Sequence, residues 1–221
     1  MKREAMIQAA RELFEARGFD STQMEEIAAS AGVSTATAYN YFESKTNVLA
    51  SIALLHLRSA LPARRALLRK LPADPVKGAA AFERLLAKQA LATMGENGWR
   101  VIFRAGYDMP PTKLSRLGKL MSRKITQHYL KMLRAYRDQG SLVPDTDVEL
   151  AAELLTTVGM ARFARFVMDD EMSAKERLAV IPRQVSVILS PWLPATRPAR
   201  SPRAADRPPP PARRRAAGAR P

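Results

Sequence analysis

Between Ile27 and Ser34 the chain reads Ile-Ala-Ala-Ser-Ala-Gly-Val-Ser, a stretch that commits it to two short helices crossing at a tight turn. Ala28 is small enough to let the helices approach, and Gly32 can take the positive φ of the turn. Val33 supplies an apolar anchor, and Ser34 can cap the helix that follows. Around this stretch apolar residues recur at helical spacing and nowhere alternate with period two, so the expected fold is all-α. A first helix is expected over about 2–17, with Met6, Ile7, Ala10, Leu13 and Phe14 on one stripe and Gly18 ending it. Thr22-Gln23-Met24-Glu25 has the form of a capping box for the second helix. The third runs from Ser34 to about Tyr41, and Ser44 caps a fourth that should kink or break near Pro62. Further helices fit roughly 76–94, 97–108, 111–138, 147–169 and 174–190.

The formal net charge of +15 points to a polyanionic partner, but its distribution matters more than its total. Between Met1 and Thr46 five basic residues face seven acidic ones, so basicity does not mark the N-terminal helices. From Thr196 to Pro221 there are eight arginines and one aspartate, and eight of the sixteen prolines fall between Pro194 and Pro221. Such a segment buries too little apolar surface to offset its ordering entropy and is expected to be disordered. There is no cysteine, which excludes disulfides, thiolate metal sites and a cysteine nucleophile and fits a cytoplasmic location. No apolar run is long enough to span a membrane, and Glu4 and Glu12 interrupt any signal-peptide core. Two histidines, no paired metal-ligand motif and no glycine-rich phosphate loop give no sign of an enzyme, a metal or a cofactor. Catalysis by carboxylates alone has no positive indication.

The pattern Ile7-x-Ala9-Ala10-x-x-Leu13-Phe14, Gly18-Phe19-x-Ser21-Thr22, Ile27-Ala28-x-x-Ala31-Gly32-Val33-Ser34, Thr37-x-Tyr39-x-Tyr41-Phe42-x-x-Lys45 and Leu49 resembles the DNA-binding domain of the TetR family of transcriptional regulators. The resemblance covers about residues 3–50. It implies a helix-turn-helix domain over residues 1–46, a helical effector-binding and dimerisation domain over 47–193, and a tail over 194–221. It further implies that Thr22 and Lys45 meet phosphates, that Ser34, Thr35, Ala36 and Thr37 open the recognition helix, and that Tyr39, Asn40 and Tyr41 lie along it. Thr35, Ala36 and Asn40 are placed for bases and Tyr39 and Tyr41 for phosphates, packing being the lesser reading of the two tyrosines. Ala36 stands where the family often has glycine, and Gln23 where a second threonine is common. An altered base preference and an added or replaced phosphate contact are expected there.

From Leu150 to Met168 the chain is apolar almost all round, so this helix should be covered on a second side, and a partner subunit would do so. With the last helix it would form a homodimer interface, setting two reading heads about one DNA turn apart on a palindromic operator. The middle helices should hold a small-molecule effector. Trp99, Phe103, Tyr107, Met121, Ile125, His128, Met132 and Phe163 are candidate apolar walls, with Arg100 and Arg104 for an acidic group. The bland readings are that the methionines and His128 are core and that Arg104 pairs with Asp108 on the surface. The expected function is a sequence-specific repressor released by its effector. A constitutive or nucleoid-associated protein of the same fold is the alternative, and a helical enzyme a more distant one.

Overall fold

The structure, a computed structural model, describes residues 1–109, 111–168 and 174–195, with side chains omitted at 174, 175 and 177; the Arg/Pro-rich tail lies outside the described residues from 196 onward. The helices are α1 (Lys2–Arg17), α2 (Met24–Ser30), α3 (Thr35–Phe42), α4 (Lys45–Arg69), α5 (Pro75–Ala105), α6 (Lys113–Asp138), α7 (Val148–Met168), α8 (Ala174–Ala179) and α9 (Ile181–Leu189). A 3-10 turn at Ser190–Trp192 follows, and there is no strand among the described residues. The fold is all-α, as expected.

The turn between α2 and α3 closes as the sequence demands. Val33 N–H donates to Ala28 O at 3.0 Å and Gly32 N–H to Ala29 O at 3.1 Å, while Gly32 sits at φ 65. That pair of bonds with a left-handed residue between them is a Schellman motif, and it satisfies the last carbonyls of α2. Ser34 caps α3, its hydroxyl accepting from Thr37 N–H at 3.2 Å, and Ser44 caps α4 by accepting from Asn47 N–H at 3.2 Å. The capping box of α2 is one residue later than expected. Gln23 is the N-cap, and the carboxylate that reaches back to its amide, at 2.9 Å, belongs to Glu26. Thr22 is unavailable because it is fully buried and its hydroxyl donates to Gly18 O at 2.8 Å.

α4 does not break at Pro62. The proline ring faces solvent, and two cross-helix bonds clamp the segment. Gln89 donates to Ala60 O at 3.1 Å, and Arg64 Nε donates to the Gln89 side chain at 2.9 Å. α5 is continuous in trace but broken in geometry: Gly95 takes φ 60 and ψ −178, a region closed to other residues, between the two segments expected there. The single helix expected over 174–190 is instead two, because Pro182 cannot donate to the preceding turn and starts α9 afresh. α5 stops at Ala105, three residues short of the expected 108, and the bounds of α1, α6 and α7 lie within two residues of expectation.

The apolar residues form two clusters. One runs from Met6, Phe14, Ile27 and Phe42 through Val48, Leu49 and Ile52 of α4 to Trp99, Ile102, Leu114 and Met121. The other joins Phe82, Tyr129, Met132, Leu133, Tyr136, Leu155, Val185 and Leu189. The N-terminal helices are therefore set on the same packed core as the second half of α5, with α4 threading both.

Candidate nucleic-acid interface and ligand cavity

α3 is eight residues long, and its two faces differ completely. Ala38 and Phe42, four apart, are buried at 0% and 3% exposure and hold the helix to its neighbours. Thr35, Ala36, Tyr39, Asn40 and Tyr41 are exposed, and Thr37 is half-buried with its hydroxyl 2.8 Å from that of Ser34. A short helix held by two apolar residues and presenting small polar and aromatic side chains outward is the geometry that major-groove reading requires. Tyr39 OH donates to Glu25 at 3.3 Å, which sets the ring against α2, and Gln23 is exposed at the start of that helix. Glu43, which ends α3, takes φ 63, and Ser44 N–H closes back on Phe42 O at 2.7 Å. This is a classic γ-turn geometry on a non-glycine residue, a strained element that fixes the angle between α3 and α4.

Two residues expected at phosphates sit otherwise. Thr22 is buried, as described above. Lys45 turns its ammonium back onto Phe19 O at 2.6 Å, Thr22 O at 2.7 Å and Asp20 O at 3.2 Å, above the Phe19 ring at 4.6 Å. In this arrangement both stabilise the turn before α2 and leave the outward surface to α3 and Gln23.

Between α4, α5, α6 and α7 lies a cavity of about 370 Å³. Its walls include Trp99, Phe103, Met121, Ile125 and Phe163, five of the residues expected there. The rings interlock, Trp99 meeting Phe163 edge-on at 5.4 Å and Phe103 lying 6.0 Å from Phe163. The other five stand outside the cavity. Tyr107 is 87% exposed, because α5 ends at Ala105 and the ring falls in the following turn. Met132 is fully buried in the second cluster, one turn too far along α6. His128 donates to Lys124 O at 2.6 Å and stacks on Phe82. Arg100 is held by Val167 O and by Asn97, and Arg104 pairs with Asp20 of the α1–α2 loop at 3.6 Å, not with Asp108.

Six charged wall residues went unforeseen: Arg84, Lys88 and Lys119 are exposed, while Glu83, Arg162 and Arg64 are withdrawn from solvent. Glu83 is buried, joined to Arg162 and accepting from Tyr129 OH at 2.6 Å. Burial pushes its carboxyl up, against the pull of Arg162 and Tyr129. Arg162 also donates to Gln184 of α9 at 2.6 Å. Arg64 is 2% exposed; its Nη2 donates to His56 Nε2 at 3.3 Å, and His56 Nδ1 lies 3.1 Å from Thr93 Oγ1. Burial, with Arg64 beside it, holds the His56 imidazole down to about 4, so it is neutral at pH 7. Arg162 had one legible signal, a charge inside the apolar run of α7. Arg64 had none, since its neighbour Arg65 looks identical in sequence and is exposed.

Known proteins align with this layout. The family model for bacterial regulatory proteins of the tetR family matches residues 6–52. The HTH-type transcriptional regulator UidR of Escherichia coli is 26% identical over 157 residues, 69% of this chain and 75% of that one. The structure of FadR from Thermus thermophilus, a TetR-family repressor in complex with lauroyl-CoA, aligns with a TM-score of 0.65 at 24% identity, covering 90% of this chain and 98% of that one. FadR from Bacillus subtilis in complex with stearoyl-CoA gives a TM-score of 0.64 at 18% identity, covering 85% and 97%. These structural likenesses are of fold.

Proposed function

Since the chain is a transcriptional regulator of the TetR family, we propose that it is a homodimeric repressor whose hold on a palindromic operator is released when a small apolar-bodied molecule enters the cavity. The observation that carries this is the path of α4. Its first turns, through Val48, Leu49 and Ile52, pack beneath the helix-turn-helix, and His56, Leu57 and Arg64 further along the same helix wall the cavity. An occupant that favours another packing of these walls displaces the reading head by the differential affinity it has for the two arrangements. Residues 1–46 act as the reading unit. Within it Thr35, Ala36 and Asn40 meet bases, and Gln23, Ser34, Thr37, Tyr39 and Tyr41 hold the backbone. Lys45 and Thr22 set the turn that carries them.

Dimerisation is supported by large apolar side chains left bare on the last helices: Leu150 and Leu154 on α7 are 45% and 39% exposed and Val187 on α9 is 67% exposed. A second copy would cover them. The neighbours caught with lauroyl-CoA and stearoyl-CoA support an effector with a long apolar body, which the aromatic walls suit. The test is fluorescence anisotropy of the purified protein on DNA tiled across its own promoter region, with sedimentation in parallel. One protected palindrome bound by a dimer is expected. Binding that shows no sequence preference at any salt concentration would overturn the reading in favour of a nucleoid-type protein.

A further inference from the structure

We infer that the cavity contains a built anion site at Arg64, and that its natural occupant is a monocarboxylate with an apolar body. The inference rests on the cavity being the effector site, and it begins with an uncompensated charge. Arg64 is 2% exposed and lines the cavity, yet it makes no ion pair among the described residues. Its partners are all neutral. Nε donates to the Gln89 carbonyl, and Nη2 donates to His56. Because the guanidinium can only donate, His56 Nε2 must be the acceptor, which puts the ring proton on Nδ1, facing Thr93 Oγ1. The Thr93 hydroxyl in turn donates to Gln89 O at 2.8 Å, and the Gln89 amide donates to Ala60 O. The chain of bonds closes through neutral groups, with no negative charge anywhere in it. Nη1 has no acceptor among the described residues.

A buried guanidinium without a counter-ion is costly, and proteins keep one where a ligand supplies the missing charge. The surroundings carry the same sign. Arg84, Lys88 and Lys119, exposed at the cavity rim, make no ion pairs among the described residues, and the one wall carboxylate, Glu83, is already held by Arg162. A planar carboxylate matches the Nη edge of a guanidinium, whereas a phosphate dianion would need more donors than this wall offers. The body of the ligand then lies among Trp99, Phe103, Phe163 and Met121. A thioester whose alkyl end entered the cavity would leave Arg64 facing hydrocarbon, so the free acid is the better fit.

The experiment compares dodecanoate, dodecanol and dodecanoyl-CoA by calorimetry on the full chain. Quenching of Trp99 in a Trp192→Phe background reports cavity occupancy, since these are the two tryptophans. Dodecanoate should bind the wild type at least about tenfold more tightly than dodecanol, and Arg64→Met should abolish that preference while dodecanol binding persists. Arg64→Lys, which keeps the charge and loses the fork, should retain part of it, and the wild-type comparison stands even if Arg64→Met fails to fold. Equal affinities for acid and alcohol would overturn the anion site and leave the cavity reading intact. A preference removed by Arg84→Gln/Lys88→Gln/Lys119→Gln and not by Arg64→Met would move the anion to the rim and also overturn it. Binding of neither acid nor alcohol would overturn the anion site and the apolar-bodied effector together.

Discussion

The reading head and the cavity solve the same problem, how to satisfy polar groups away from water, over very different stretches of chain. In the head those partners lie within the head itself: buried Thr22 bonds to Gly18, four residues away, and half-buried Lys45 reaches the Phe19 and Thr22 carbonyls, 26 and 23 away. Around the cavity Glu83 meets Arg162 across 79 residues, Tyr129 meets Glu83 across 46, and His56 meets Thr93 across 37. A unit closed by local bonds keeps its shape when the rest of the molecule shifts. A wall closed by distant ones changes when any of its helices moves. On the proposed function, that division suits a rigid reader coupled to a yielding sensor.

The sharpest way to break the comparison is to cut one bond of each kind. Arg162→Met leaves Glu83 buried without its counter-ion and should cost about 3–5 kcal/mol in urea unfolding. Thr22→Val, which removes a single neutral bond, should cost about 1 kcal/mol. Equal costs would erase the distinction. The second test uses pH. The unfolded chain protonates His56 near 6.5, but the folded chain does so only near 4. Above about pH 7.5 the group is neutral in both states and makes no difference to stability. As pH falls through that window the unfolded state takes up the proton first, and stability should drop by about 2–3 kcal/mol, a loss that His56→Gln should remove from the unfolding curves. A third change touches only the reader. Asn40→Ala should lose about 1–3 kcal/mol of operator discrimination in anisotropy titrations, with the melting temperature unmoved. The smallest effect is expected at Glu43, where glycine relieves the positive φ but adds unfolded-state freedom, for a net gain of no more than about 1 kcal/mol in the same unfolding assay.

The same difference in range explains what could be read in advance. The head was legible because cap, turn and anchor lie within a few residues, so Ser34 and Gly32 follow from spacing. Two details differ, a capping box displaced by one residue and a lysine at the start of α4 that reaches back to the turn before α2. In the cavity the large apolar walls were legible, since Trp99, Phe103, Met121, Ile125 and Phe163 stand at helical spacing. The charges were not. Nothing in a single sequence separates buried Arg64 from exposed Arg65, because the distinction is made by Gln89 and His56 on other turns and another helix. Tyr107 and Met132 failed for a simpler reason, as helix ends and phase decide on which side of a wall a side chain falls.

The break at Gly95 has a mechanical consequence. In an unbroken helix the carbonyls of Ala92 and Thr93 would be spent on the amides of Glu96 and Asn97. Here Arg11 of α1 donates to both carbonyls at 2.9 Å, pinning the first helix of the reader to the lip of the discontinuity. Thr93 is also the residue whose hydroxyl meets His56 on the cavity side. On the proposed mechanism α5 therefore works as a jointed strut and not a beam. One face of a single turn bears the load of whatever occupies the cavity, and the opposite face is bolted to the reader.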